Sequence, residues 1–141
     1  MTTIQNVEKV VVGVDGSANS DRALETAAAE ARLRGAPLKV VHAYETTRFV
    51  VTEPHRDAAT LQSAAQEVLD RALAKLSAKE GLDLEGLVIA GEPAQVLIDA
   101  SDGASLLVVG TRGLGGFTGL LLGSISTKCV HHAHCPVLVA R

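Results

Sequence analysis

Apolar residues in this chain fall into short blocks punctuated by glycine, proline and hydroxyl residues, and two kinds of block alternate. The first kind opens the chain. Residues 9–14, KVVVGV, form a β-branched run with no polar alternation, the pattern of a strand covered on both faces in a parallel sheet. The second kind follows at 18–34, an alanine-rich segment with Leu24, Ala27, Ala28 and Ala31 on one stripe. That spacing predicts a helix whose small residues pack close to a sheet. Ser17 or Ser20 is its candidate N-cap, and Gly35 and Pro37 are its stop,.

The alternation continues. Pro37–Tyr44 (PLKVVHAY) predicts a second strand, and residues 45–56 have no clear period and read as a long connection,. Leu61, Ala65, Val68, Leu69, Ala72 and Leu76 recur at three and four, predicting a helix from Asp57 to Lys79 that Gly81 ends,. Its Glu67, Asp70, Arg71 and Lys75 are left for solvent. A third strand is expected at Leu84–Ala90 and a short helix from Pro93 to Asp102,. A fourth strand is expected at Ser105–Val109, a helix at Ser124–His132, and a fifth strand from Pro136 to Ala140. Five strands alternating with four helices imply one α/β domain over residues 1–141, with a parallel sheet, right-handed crossovers and helices on both faces. In such sheets ligands sit at the carboxyl ends of the strands, where the strand order reverses. An order of 3-2-1-4-5 would bring the end of strand one beside the end of strand four.

Composition narrows the class. The chain has 141 residues, 47% hydrophobic and 21% charged, with a net charge of −3. It is long enough for a core without staples, and it reads as a soluble globular domain. The charge offers no basic field for nucleic acid. Tyr44, Phe49 and Phe117 are too few aromatics for a base-stacking platform,. No apolar run approaches a membrane span. The opening MTTIQNVEK lacks a signal-peptide order, and two cysteines make no disulfide framework. Together they predict the reducing cytoplasm.

The candidate chemistry lies in Gly110–Ser126, GTRGLGGFTGLLLGSIS, where six of seventeen residues are glycine. A strand end, a glycine loop, hydroxyls and a helix start in succession suggest a phosphate cradle, because helix-start amides and the positive dipole end hold anions. The plainer alternative is a flexible surface loop. The P-loop signature is excluded, since no Gly-Lys pair occurs, and the first turn, GVDGS, does not match the dinucleotide fingerprint,. Asp15 accepts from ribose hydroxyls or binds Mg²⁺, directly or through water, or it turns back to cap the Gly16-Ser17 turn, and the ligand and turn roles are compatible. Arg112 could pair with phosphate or face a partner subunit. Ser124 and Ser126 could bond phosphate or simply cap. His42, inside a strand, reads as a core residue before a catalytic one. Cys129, His131, His132, His134 and Cys135 carry zinc-ligand chemistry at a spacing that matches no standard finger,.

The spacing Gly110-x2-Gly113-x9-Gly123-Ser124, the opening VVGVDGSANS and the ending HCPVLVAR resemble the nucleotide-binding subgroup of the universal stress protein family. The likeness covers essentially the whole chain. It implies a Rossmann-like three-layer α/β/α sandwich of the adenine nucleotide alpha hydrolase-like type. It also implies ATP or another adenine nucleotide as ligand, with Mg²⁺ or Mn²⁺. Gly13 and Asp15 would lie near adenosine and metal, and Ala43 would contact adenine through its backbone. Gly110, Thr111, Arg112, Gly113, Leu114, Gly115 and Gly116, with Gly123, Ser124, Ile125 and Ser126, would wrap ribose and phosphates. A homodimer through Val137–Ala140 is implied as well, and the apolar edge strand gives a physical reason for it. No catalytic constellation is visible, so a regulatory stress-response module whose state depends on bound nucleotide is expected; a slow ATPase or a nucleotide-free dimerising protein are the alternatives.

Overall fold

A computed structural model describes residues 8–46, 57–77, 79–112 and 122–141. Five parallel strands, β1 (Val10–Gly13), β2 (Leu38–Tyr44), β3 (Leu84–Ala90), β4 (Leu106–Gly110) and β5 (Val137–Ala140), form one sheet in the order β3-β2-β1-β4-β5. Among the described residues four helices connect them: α1 (Ala18–Arg34), α2 (Ala58–Lys75), α3 (Pro93–Ala100) and α4 (Ser124–His132). The expected strand order and alternation are therefore both present.

The unalternating strands have a direct cause. Val10 and Val12 of β1 and Leu106 and Val108 of β4 pack with α1 and α2 on one face. Val11, Leu107 and Val109 pack with Val96, Leu97, Ile98 and Cys129 of α3 and α4 on the other. Both faces are covered, so every central-strand position must be apolar. The alanine stripe of α1 is fully buried, and this helix lies over β1 and β4 at the middle of the sheet.

Some boundaries differ from the sequence expectation. Helix α2 ends at Lys75, not Lys79, because Leu76 leaves helical geometry while keeping its side chain buried. The next residue is captured by α1: Ser77 donates its backbone N–H and its hydroxyl to the Glu25 carboxylate, both at 2.8 Å. Gly81 then serves a separate turn with φ of 77°, after the helix has already ended. Helix α3 stops at Ala100, where the buried Ser101 hydroxyl donates to the Ile98 carbonyl at 2.6 Å. Val68, expected on the buried stripe of α2, is only half-buried. Of the long connection at 45–56, residues 47–56 lie outside the described residues.

Candidate functional site

Strand order reverses between β1 and β4: the chain steps from β1 to β2 on one side and returns to β4 on the other. The carboxyl ends of β1 and β4 therefore open a crevice, bounded by the starts of α1 and α4. Each side of it is built from a few specific hydrogen bonds.

On the β1 side, Val14 continues the ladder by donating to Val41 at 2.9 Å. His42 Nδ1 donates to the Val14 carbonyl at 2.8 Å; a carbonyl only accepts, so this nitrogen carries the proton,. His42 thus ties the end of β1 to β2, the core role expected of it. Asp15 is half-buried, and its Oδ1 accepts from the Ser17 amide at 2.9 Å, an Asx turn,. The Asp15 amide donates to Ser20 Oγ at 3.2 Å. Ser17, not Ser20, is the N-cap of α1 and accepts from the Ser20 amide. The missing Cβ of Gly13 makes room for α3, since a methyl there would lie 2.6 Å from Leu97 Cδ1.

Ala43 sits two residues beyond the end of the β1 ladder, which stops at Gly13 opposite Val41. In a parallel strand the amide and carbonyl of one residue point to the same neighbour, and successive residues alternate. The Tyr44 carbonyl accepts from Gly91, on the β3 side, while the Val41 carbonyl accepts from Val14, on the β1 side. Ala43 shares the direction of Val41, so its backbone faces the crevice past the last paired residue of β1.

On the β4 side, Gly110 lets α1 come close. A Cβ on Gly110 would lie 3.1 Å from the Asn19 carbonyl oxygen. Thr111 Oγ1 donates to Asn19 Oδ1 at 3.0 Å. The Thr111 carbonyl accepts from the Gly123 amide at 2.6 Å and from Ser126 Oγ at 3.0 Å. The chain leaving β4 and the chain starting α4 are therefore joined at their base. Gly113, Leu114, Gly115 and Gly116 lie outside the described residues.

Helix α4 begins at Ser124 with Gly123 as N-cap, a residue with no side chain to cap it. Ser124 is exposed at the first helical position; Ile125 is half-buried and packs on the α3 side of the core. Ser126 is 3% exposed, and its hydroxyl turns inward to the Thr111 and Gly123 carbonyls. Neither serine acts as the side-chain cap of α4. Asn19, which sequence reading passed over, ties the first turn of α1 to the β4 side; it lies 92 residues from Thr111, and no local spacing signals that pairing.

Among the described residues no group of three His, Cys, Asp or Glu side chains could hold a metal ion. Cys129 is buried, and burial first, then the Glu92 carboxylate, pushes its thiol up to about 11. Desolvation and Glu8 raise the half-buried Cys135 as well. Both groups therefore favour the neutral thiol. A surface depression of about 360 Å³ opens against α1 and the end of α2, lined by Asp21, Arg22, Glu25, Ala72, Lys75 and Arg141 among others. None of its lining comes from the two strand ends.

An open parallel sheet whose strand order reverses between β1 and β4 is a doubly-wound α/β fold, with its ligand crevice at that switch point,. The family model described as the universal stress protein family matches residues 6–141, and the chain belongs to that family. It is 41% identical over 138 residues to the "Universal stress protein in QAH/OAS sulfhydrylase 3′ region" of Thermus aquaticus, covering 94% of this chain and 97% of that protein. It is 40% identical over 133 residues to a universal stress protein of Mycobacterium tuberculosis, covering 94% of this chain but only 45% of that protein. The chain thus spans about half the length of such mycobacterial relatives. Among solved structures, a universal stress protein in complex with cAMP superposes with a TM-score of 0.75 at 30% identity, covering 95% of this chain and 97% of the other. The universal stress protein from Archaeoglobus fulgidus in complex with dAMP gives 0.71 at 28% identity, covering 95% and 98%.

Proposed function

We propose that this domain binds ATP or another adenine nucleotide in the crevice between the ends of β1 and β4, and that its regulatory state follows the nucleotide. The observation that carries the reading is the meeting of the two glycine-bearing strand ends with the glycine-started helix α4, where the strand order reverses,. Support comes from similar solved proteins in complex with cAMP and dAMP. Ala43 reads adenine through its crevice-facing amide and carbonyl. Gly13 and Asp15 flank the adenosine. Backbone amides at Gly110–Gly116 and Gly123–Ser126 hold ribose and phosphates, with the Arg112 guanidinium nearby.

The donor set fits a divalent ion brought in with the nucleotide. Mg²⁺ is commonly bound by one or two carboxylates plus substrate phosphates, without an all-protein cage. Asp15 is the carboxylate at the crevice and would hold Mg²⁺ or Mn²⁺. The ion, when bound, neutralises phosphate charge. Asp15 itself stiffens the turn through Ser17 and keeps a negative group beside the entering nucleotide, which selects for the metal complex. His42 and Asp15 both serve backbone bonds here, and this supports a binding module over an efficient enzyme. Strand β5 ends the sheet with half-buried Val137, Leu138 and Val139, an apolar edge suited to antiparallel pairing with a second copy,.

The test is mass spectrometry of ligand released from denatured protein, followed by calorimetric titration with Mg²⁺-ATP. An adenine nucleotide near one per chain, or saturable binding of added ATP, is expected. Protein that carries none and gives no heat with millimolar Mg²⁺-ATP overturns the reading. Sedimentation should give twice 14.6 kDa, and a monomer at all concentrations would remove the β5 pairing.

A further inference from the structure

The first turn of α1 touches both sides of the crevice without belonging to the glycine loop. Ser20 Oγ accepts the Asp15 amide on the β1 side. One residue earlier, Asn19 holds the β4 side by two contacts. Its carbonyl oxygen fills the space that a side chain on Gly110 would need, at 3.1 Å. Its side-chain oxygen accepts from Thr111 Oγ1 at 3.0 Å and from Arg22 Nη2 at 3.3 Å. Arg22 can only donate, so it is the amide oxygen that lies between them and the Thr111 hydroxyl that points its proton at Asn19.

The Thr111 carbonyl, in turn, accepts from the Gly123 amide and from Ser126 Oγ. Two bonds that hold the start of α4 against the end of β4 thus end on Thr111, and the Thr111 side chain donates to Asn19. We propose that Asn19 is a positioning residue for the nucleotide site: through the Thr111 hydroxyl it sets where the first-turn amides of α4 stand relative to Asp15. The inference rests on the nucleotide reading above and adds a determinant that lies outside the glycine motif. Hydrogen-bond geometry is strongly directional, so a freed Thr111 allows the backbone at 111 and 123 to shift while the buried core of α1 keeps the fold intact.

The test is a double-mutant cycle read by the dissociation constant for Mg²⁺-ATP on the full chain. Asn19→Ala and Thr111→Val should each weaken binding about fivefold, the worth of one hydrogen bond. The double variant should be no weaker than either alone, since both remove the same bond. Thr111→Ser, which keeps the hydroxyl, should recover most of the affinity that Thr111→Val loses. Melting temperatures of all four should stay within a few degrees of one another. Wild-type affinity in Asn19→Ala, multiplied effects in the double variant, or a Thr111→Ser as weak as Thr111→Val would overturn the proposal while leaving nucleotide binding intact. A wild-type chain that binds no adenine nucleotide overturns the nucleotide reading and this one with it.

Discussion

The two helices that begin at the switch point start in opposite ways. Helix α1 satisfies itself: Ser17 caps it, Asp15 folds back onto the Ser17 amide, and Asp21 places a negative charge in its first turn. Helix α4 has a glycine for N-cap, which brings no capping side chain of its own, and no acid in its first turn. Its hydroxyls point the other way, with Ser126 and Thr127 donating to the Gly123 carbonyl. Helices α2 and α3 side with α1, capped by Asp57 and Glu92. A cap and an anionic ligand compete for the same helix-start N–H groups. Omitting a cap forgoes about 1 kcal/mol of stability. In this fold that omission falls on the helix start that adjoins the glycine-rich exit of β4.

The sharpest way to break the comparison is to give α4 what α1 already has. Gly123 sits at φ of −75°, which any residue adopts, and a Cβ there would meet Arg112 Cα at 3.3 Å. Gly123→Asp therefore fits with a small adjustment and supplies both a cap and a negative charge. Affinity for Mg²⁺-ATP should fall about a hundredfold, because a carboxylate faces the phosphates. The melting temperature should hold within a few degrees. Calorimetry beside a thermal melt checks both. Undiminished affinity would mean that phosphates do not use the start of α4.

A smaller effect is expected at Asp15, where turn and ligand roles overlap. Asp15→Ala should keep the fold and weaken Mg²⁺-ATP binding about tenfold, in the range of a lost charge-assisted contact. Asp15→Asn separates the roles, since its side-chain oxygen can still accept from the Ser17 amide. It should melt like wild type yet lose the Mg²⁺ dependence of ATP binding. If Asp15→Asn binds Mg²⁺-ATP as wild type does, the carboxylate serves the turn alone.

How much of this was legible in the chain follows from the range of the interactions involved. The strands were readable because both sheet faces are covered, so Val10–Val12 and Leu106–Val109 carry no polar interruption. The ends of α1 were readable because Ser17 and Gly35 act within their own turn. The end of α2 was not, because Ser77 is captured by Glu25 from another helix, 52 residues away. The same limit hid Asn19. The sequence pointed to Gly110, Gly123 and Ser126 as groups of one ligand cradle, yet the Ser126 hydroxyl is engaged by the Thr111 and Gly123 carbonyls. Spacing along the chain names the atoms near a site; which of them face inward depends on partners that spacing does not reveal.

The smallest effect tests the other half of the comparison. If the start of α1 is satisfied by its own residues, removing its cap should be felt by stability and not by the ligand. Ser17→Ala deletes the oxygen that accepts from the Ser20 amide at 3.2 Å. It should cost about 1 kcal/mol, a drop of roughly 3 °C in melting temperature for a domain of this size. The Asp15 turn uses the Ser17 backbone amide, which alanine retains, so Mg²⁺-ATP affinity should change less than about twofold, well under 1 kcal/mol. A thermal melt and a titration on the same preparation decide it. Were Ser17→Ala to lose as much affinity as Asp15→Ala, the capped helix start would also belong to the nucleotide contact, and the division between a self-satisfied α1 and a ligand-ready α4 would fail.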